Sequence, residues 1–246
     1  MASFNQIVNI DGQEVPFKVH IERRNSVRVS FGRSCINLRI PSSLSGGARE
    51  RHFADAVKWV KGHSQKNPNA LNKYKVKDYD EIPNIAIYGE SLPIIITYKN
   101  RQSGSGKYNL KKKSIDLSLP NAITGIEKDK MVKSLLSRVC GQLFLPKVTA
   151  RVMEINDKCF HKEIKSVNLK YNKSNWGSCS TASNVNLSTR LLFAPFDVID
   201  YVIVHELAHL YEMNHSTKFW NIVRQIMPDY KEKEKWLRLN GALCDF

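Results

Sequence analysis

The sequence predicts an α+β fold with its strands gathered in the first half. Three observations predict it: polar–apolar alternation up to about residue 120, apolar residues at helical spacing after it, and Pro120-Asn121 at the change. These patterns divide the chain into a β-rich region, 1–122, and a second region, 123–246, that is mainly helical.

Ser26–Phe31 and Cys35–Ile40 alternate polar and apolar residues around a turn containing Gly32, which predicts a hairpin. Phe53, Ala56, Val57 and Val60 fall on one helical face, so a helix is expected over 47–64. Asn84–Tyr88 and Leu92–Tyr98, joined through Gly89-Glu90, make a second strand pair, and Lys107–Leu110 with Ser114–Leu119 a third. Met131, Val132, Leu135, Leu136, Val139 and Leu143 predict a helix over 127–144, and Pro146 is expected to open a separate helix running to about Asn156. A strand over 166–171, a polar loop over 172–184 and a strand over 185–191 follow. Pro195–Tyr211 is strongly helical, two shorter helices cover 217–226 and 230–239, and Gly241 is placed as the last helix's C-cap.

A chain of 246 residues can bury one large core or two small ones. No apolar run approaches the roughly 18 residues that span a bilayer. The start, Met1-Ala2-Ser3-Phe4-Asn5-Gln6, lacks the basic-then-apolar layout of a signal peptide, so a cytoplasmic protein with no membrane partner is expected. The five cysteines, an odd number without CxxC spacing, fit free thiols in a reducing compartment. The formal charge of +15 argues for anionic partners, nucleic acid or nucleotides among them. The excess is concentrated early: residues 1–122 hold 20 Lys+Arg against 10 Asp+Glu, and the rest 18 against 13.

The chemistry is concentrated in Val204-His205-Glu206-Leu207-Ala208-His209, an H-E-x-x-H motif on the predicted helix over 195–211. Residues four apart lie on one helical face, so His205 and His209 can share one zinc ion. Glu206 then lies beside the metal position as a general base toward water. Val202, Ile203, Val204, Leu207, Ala208 and Leu210 make this a largely buried helix, and buried polar groups need partners. A metal satisfies two histidines and a glutamate together.

A catalytic zinc with an open position takes three protein ligands, and His215 is the third. It follows His209 by six residues, which on an unbroken helix turn by about 600° and point it away. The helix must therefore end first. Asn214, which tolerates the left-handed conformation, is the expected turn, and Ser216 the cap of the next helix. The metzincin spacing has a glycine where this chain has Glu212, so the turn is expected later than in that class. His20, His52, His63 and His161 have no partner at ligand spacing and read as surface or packing residues.

Asn175-Trp176-Gly177-Ser178-Cys179-Ser180, Asn186-Leu187, Pro195, His205–Leu210, Asn214-His215-Ser216, Phe219-Trp220 and Met227-Pro228-Asp229-Tyr230 occur in an order that resembles the YgjP-like metallopeptidase family, a relative of the SprT-like zincins. The likeness covers most of the chain and is strongest over 172–239. Asn175 departs from it, since the pattern has Arg before Trp-Gly-Ser-Cys. The resemblance implies a zincin-like catalytic domain, an active-site helix beside a small sheet, with zinc on His205, His209 and His215 and Glu206 as base.

In such a fold a peptide substrate lies along an edge strand, and Val185–Leu191 is the candidate. The Trp176–Cys179 loop reads either as a substrate-shaping element or as a packing turn, with Cys179 a candidate to approach the metal. Tyr201, Tyr211, Tyr230 and Arg190 are candidates to stabilise an oxyanion. Met227 reads as core rather than as a turn beneath the metal. Three functions fit: a zinc peptidase acting on peptide or protein, a metal-dependent hydrolase of nucleoside triphosphates or another phosphate compound, and a nucleic-acid-associated protease. The second lacks a Walker-type glycine loop. A purely structural zinc fits poorly, because three ligands beside a carboxylate leave the fourth position open.

Overall fold

The computed structural model describes residues 2–32, 34–67 and 70–246. They form two compact units that divide between Lys77 and Asp78. The composition change near residue 122 falls inside the second unit, because the strands before it share a core with the helices after it. Among the described residues no helix is long and apolar enough to cross a membrane.

The first unit is a four-stranded sheet with one helix. Strands β1 (Ala2–Ile10), β2 (Gln13–Glu22), β3 (Arg28–Phe31) and β4 (Ile36–Pro41) lie in the order β1-β2-β4-β3. The β3–β4 pair is the predicted hairpin. The β1–β2 hairpin was not anticipated, although Asp11-Gly12 is a strong turn signal; both residues have positive φ, 51° and 86°, as a tight hairpin turn requires. Val15, Phe17 and Val19 of β2 and Ile36, Leu38 and Ile40 of β4 alternate inward, and Ala56 and Val60 of α1 (Gly46–Lys66) pack on them.

The second unit holds two sheets and four helices, the mixed α+β architecture expected. Strands β5 (Asn84–Ile87), β6 (Glu90–Lys99), β7 (Ser105–Asn109) and β8 (Ser114–Pro120) run in the order β5-β6-β8-β7. Strands β9 (Ser166–Lys170), β10 (Gly177–Cys179) and β11 (Asn184–Ser188) form the second sheet, in the order β10-β11-β9. Helix α2 (Gly125–Ile155) contributes Leu136, Val139 and Phe144 to one core with Leu117 of β8, Leu187 of β11 and Val204 of α3 (Phe196–Ala208). Arg151 of α2 holds Asp200 of α3 through two hydrogen bonds of 2.8 and 2.6 Å, a fork that fixes the register of the two helices. Helices α4 (Thr217–Ile226) and α5 (Tyr230–Asn240) close the chain, and Gly241 is the C-cap of α5 as expected.

Two expectations are corrected here. Pro146 does not open a new helix; it lies inside α2, which is continuous over 31 residues. The ring faces solvent, as does Gln142, whose carbonyl loses its helical partner. The inward stripe Val139, Cys140, Phe144, Val148 and Val152 continues across the site and outweighs the lost bond. Second, the segment 185–191 is not an edge strand. It forms β11, paired on both sides, and ends in a 3-10 turn over Thr189–Phe193. The edges are β9 and β10, and β10, the one that lines the cleft, lies inside the segment expected to be loop.

Candidate active site

Helix α3 is buried through Val198, Ile199, Val202, Ile203, Val204, Leu207 and Ala208. One stripe is left for polar chemistry, and His205 and His209 lie on it one turn apart, ring centroids 5.2 Å from each other. The helix ends at Ala208, with His209 as its C-cap in right-handed geometry. The turn therefore comes earlier than expected, and Asn214 is not left-handed. Its side chain instead accepts from the Ser216 N–H (3.0 Å), and Ser216 caps α4 by accepting from the Phe219 N–H (3.4 Å). These two caps bring His215 back over the helix end, its Nε2 3.0 Å from His205 Nε2.

Phe219 is the floor of the three rings. It is fully buried, with centroids 4.9, 4.6 and 4.8 Å from those of His205, His209 and His215. The candidate ligand atoms of the three histidines all lie within 4.8 Å of one another, and among the described residues no other His, Cys, Asp or Glu group of three does so. Burial, then the neighbouring His209 and His215, push His205 down to about 4, so its ring is neutral at pH 7, the form that binds metals. Burial also lowers His209. The His209 Nδ1 meets the Glu212 carbonyl at 3.1 Å; only a protonated nitrogen can do so, which leaves Nε2 as the lone pair. Three imidazoles converging on one point fit a zinc ion.

Glu206 turns to the other side of this cleft. It is 5% exposed, and burial alone pushes its carboxyl up to about 8. Gly177 of β10 lies directly against it: a Cβ there would fall 2.5 Å from Glu206 Oε1 and 2.6 Å from Cγ. The cleft holds about 860 Å³; β10, with Trp176 and Cys179, forms one wall and α5 another. Trp176 O accepts from Ser188 N (2.8 Å) and Ser180 N donates to Asn184 O (3.1 Å). By the alternation of an antiparallel ladder, Ser178 faces β11 and the main-chain groups of Gly177 and Cys179 face the free edge. The Asn175 amide donates to Gly177 O (2.9 Å) on that edge.

Of the four oxyanion candidates only Tyr201 borders the cleft. Tyr211 donates to Phe160 O (2.6 Å), and Tyr230 is buried, stacked on Trp220. Arg190 lies over the Trp176 ring and donates to the carbonyls of Cys244 (2.7 Å) and Gly241 (2.6 Å). Met227 is the C-cap of α4, packed on the core. Cys179 lines the cleft outside the histidine cluster, and burial and the Glu206 charge push its thiol up to about 11. Sequence reasoning missed the roles of Gly177 and Phe219: both stand in motifs, but spacing alone does not say which side chain each one touches.

Both histidines of H-E-x-x-H and a third from beyond the helix, gathered around one point, make the arrangement of proteins that can hold a metal on a helix. The chain belongs to the YgjP-like metallopeptidase domain family, whose sequence model matches residues 23–240. No curated protein matches it. Among solved structures it is similar to the metallopeptidase zymogen of Pyrococcus abyssi abylysin, at 24% identity over 39% of this chain and 94% of that one, with a TM-score of 0.35. It is similar also to the metallopeptidase zymogen of Methanocaldococcus jannaschii jannalysin, at 24% identity over 36% and 90% of the two chains, with a TM-score of 0.32.

Proposed function

We propose that this protein is a zinc peptidase in which His205, His209 and His215 hold the metal and Glu206 is the general base and acid. The observation that carries the reading is the convergence of three imidazoles within 4.8 Å in the cleft that Glu206 lines. Zinc, when bound, supplies Lewis acidity toward the scissile carbonyl and makes a water acidic near neutral pH. Glu206 takes the proton of the attacking water on a carboxylate oxygen and delivers it to the leaving amine. The Gly177 N–H and the Cys179 main-chain groups pair with an extended peptide, and Tyr201, which borders the cleft, stabilises developing negative charge.

Zinc is expected to raise the melting temperature of the wild type, because a ligand bound only by the folded state stabilises it. His205→Ala is expected to abolish that rise and to lower zinc content. Equal zinc-induced shifts in calorimetry of the two proteins would remove His205 from the ligand set.

A second activity, nucleic-acid binding by the first unit, has its own observation. Residues 1–77 hold 14 Lys+Arg and 5 Asp+Glu, a net +9. The register puts Arg28 opposite Arg39, Arg39 beside His20, and Lys18 beside Asn37, all on the sheet face away from Val19 and Leu38. Binding of a DNA oligonucleotide is expected to weaken steeply with salt, and Lys18→Glu with Arg28→Glu to cost roughly tenfold in affinity. Absence of binding at low salt in a fluorescence anisotropy titration ends this reading.

A further inference from the structure

We propose that the cleft selects peptides with acidic side chains near the scissile bond, through Lys231, Lys235 and Arg238 of α5; this rests on the peptidase reading and names its substrate class. The three cations line the cleft together with Glu234. Spacings of three, four and seven put all four residues on one helical face, and all are exposed. None of the three cations lies within 4 Å of a carboxylate among the described residues. Lys233, on another face of the same helix, is tied to Asp197 (2.7 Å) and Asp229 (3.1 Å). The cation of α5 that serves the fold is therefore paired, and those that line the cleft are not.

Against three cations this wall sets one carboxylate, Glu234, a net of +2. The other acidic group, Glu206, is buried against Gly177. A cleft between low-dielectric walls focuses such a field on whatever enters it. The opposite wall says what enters: the edge of β10 offers the Gly177 N–H and the Cys179 main-chain groups to an extended chain, while the Gly177 carbonyl accepts from Asn175. A peptide held there sends alternate side chains out of the sheet plane, and the α5 cations are the charged groups lining the space they occupy. A nucleoside triphosphate would meet the same cations, but the strand edge offers it no complementary ladder.

The test uses the zinc-loaded full chain and three matched fluorogenic peptides with Glu, Gln or Lys flanking the cleavable bond. The same peptides are titrated onto Glu206→Gln by anisotropy, with ATP as competitor. The Glu peptide is expected to have a KM roughly tenfold below that of the Lys peptide at low salt, with the gap closing as salt rises. Lys235→Glu with Arg238→Glu should invert the order in both cleavage and binding. Lys111→Glu with Lys112→Glu, the same change in net charge on the β7–β8 turn, should leave the order as it is. Glu206-dependent cleavage of all three peptides with equal KM overturns the inference and keeps the peptidase reading. Charge-ordered binding that inverts in the α5 variant, without cleavage of any peptide, overturns the peptidase reading and keeps the inference. ATP binding more tightly than the Glu peptide, and losing that affinity in the α5 variant, assigns the wall to phosphate and overturns it. Neither cleavage nor charge-ordered binding overturns both.

Discussion

Glu206→Gln is expected to keep its zinc and lose about 10²–10⁴-fold in turnover, the range over which a positioned general acid–base contributes. The two side chains are nearly the same size, so the contact with Gly177 and the packing of α3 are preserved. What is lost is an oxygen able to take a proton and return it. Glu206 is 5% exposed and burial alone raises its carboxyl pKa, so the folded protein stabilises its charge poorly in the absence of metal. A neutral amide removes that cost, and the metal-free variant is expected to melt no lower than the metal-free wild type. Metal analysis, calorimetry and turnover on an unfolded protein substrate check the three parts. Full turnover in a variant with normal zinc content would remove Glu206 from the chemistry.

The candidate site is legible in the sequence because its candidate ligand pair is a local property. The i, i+4 spacing of His205 and His209 fixes one helical face whatever surrounds the helix. His215 was reached by a different argument, that a helix continuing past His209 points it the wrong way. The helix must break before His215, but spacing does not fix where: Asn214 is the residue type suited to a left-handed turn, whereas α3 ends at Ala208 and Asn214 acts through its side chain. Pro146 shows the same limit from the other side. A proline removes one hydrogen bond, which is local, but the stripe of α2 that buries Val139 through Val152 is a tertiary gain with no signal in the proline itself. The sheet beside α3 was misjudged because a strand's periodicity shows that it is half-buried and not which neighbour it has. The alternation over 185–191 marks a strand, and pairing on both sides makes its first part the central strand β11; β10, three residues long and containing glycine, carries almost no pattern and is the edge that lines the cleft.

Gly177→Ala is expected to cost about 10²-fold in turnover while leaving zinc binding intact. A methyl group there would lie 2.5 Å from Glu206 Oε1, 2.6 Å from Cγ and 2.7 Å from Cδ, so the carboxylate has to move. A displacement of about 1 Å at a catalytic group is enough for a loss of that order. The backbone is not the reason, because Gly177 is not among the positive-φ glycines and alanine can adopt its extended conformation. The histidines are not the reason either, because the methyl falls on Glu206 and not on the cluster built by His205, His209 and His215. Overpacking of this kind also costs about 1–3 kcal/mol of stability, which a thermal melt reads separately. Positioning is separated from general damage by the double variant. If Gly177 acts through the Glu206 carboxylate, adding Gly177→Ala to Glu206→Gln should cost little further turnover, since the group it positions is already chemically silent. Losses that multiply in the double variant would mean that the glycine serves the cleft in some way other than by making room for this carboxylate.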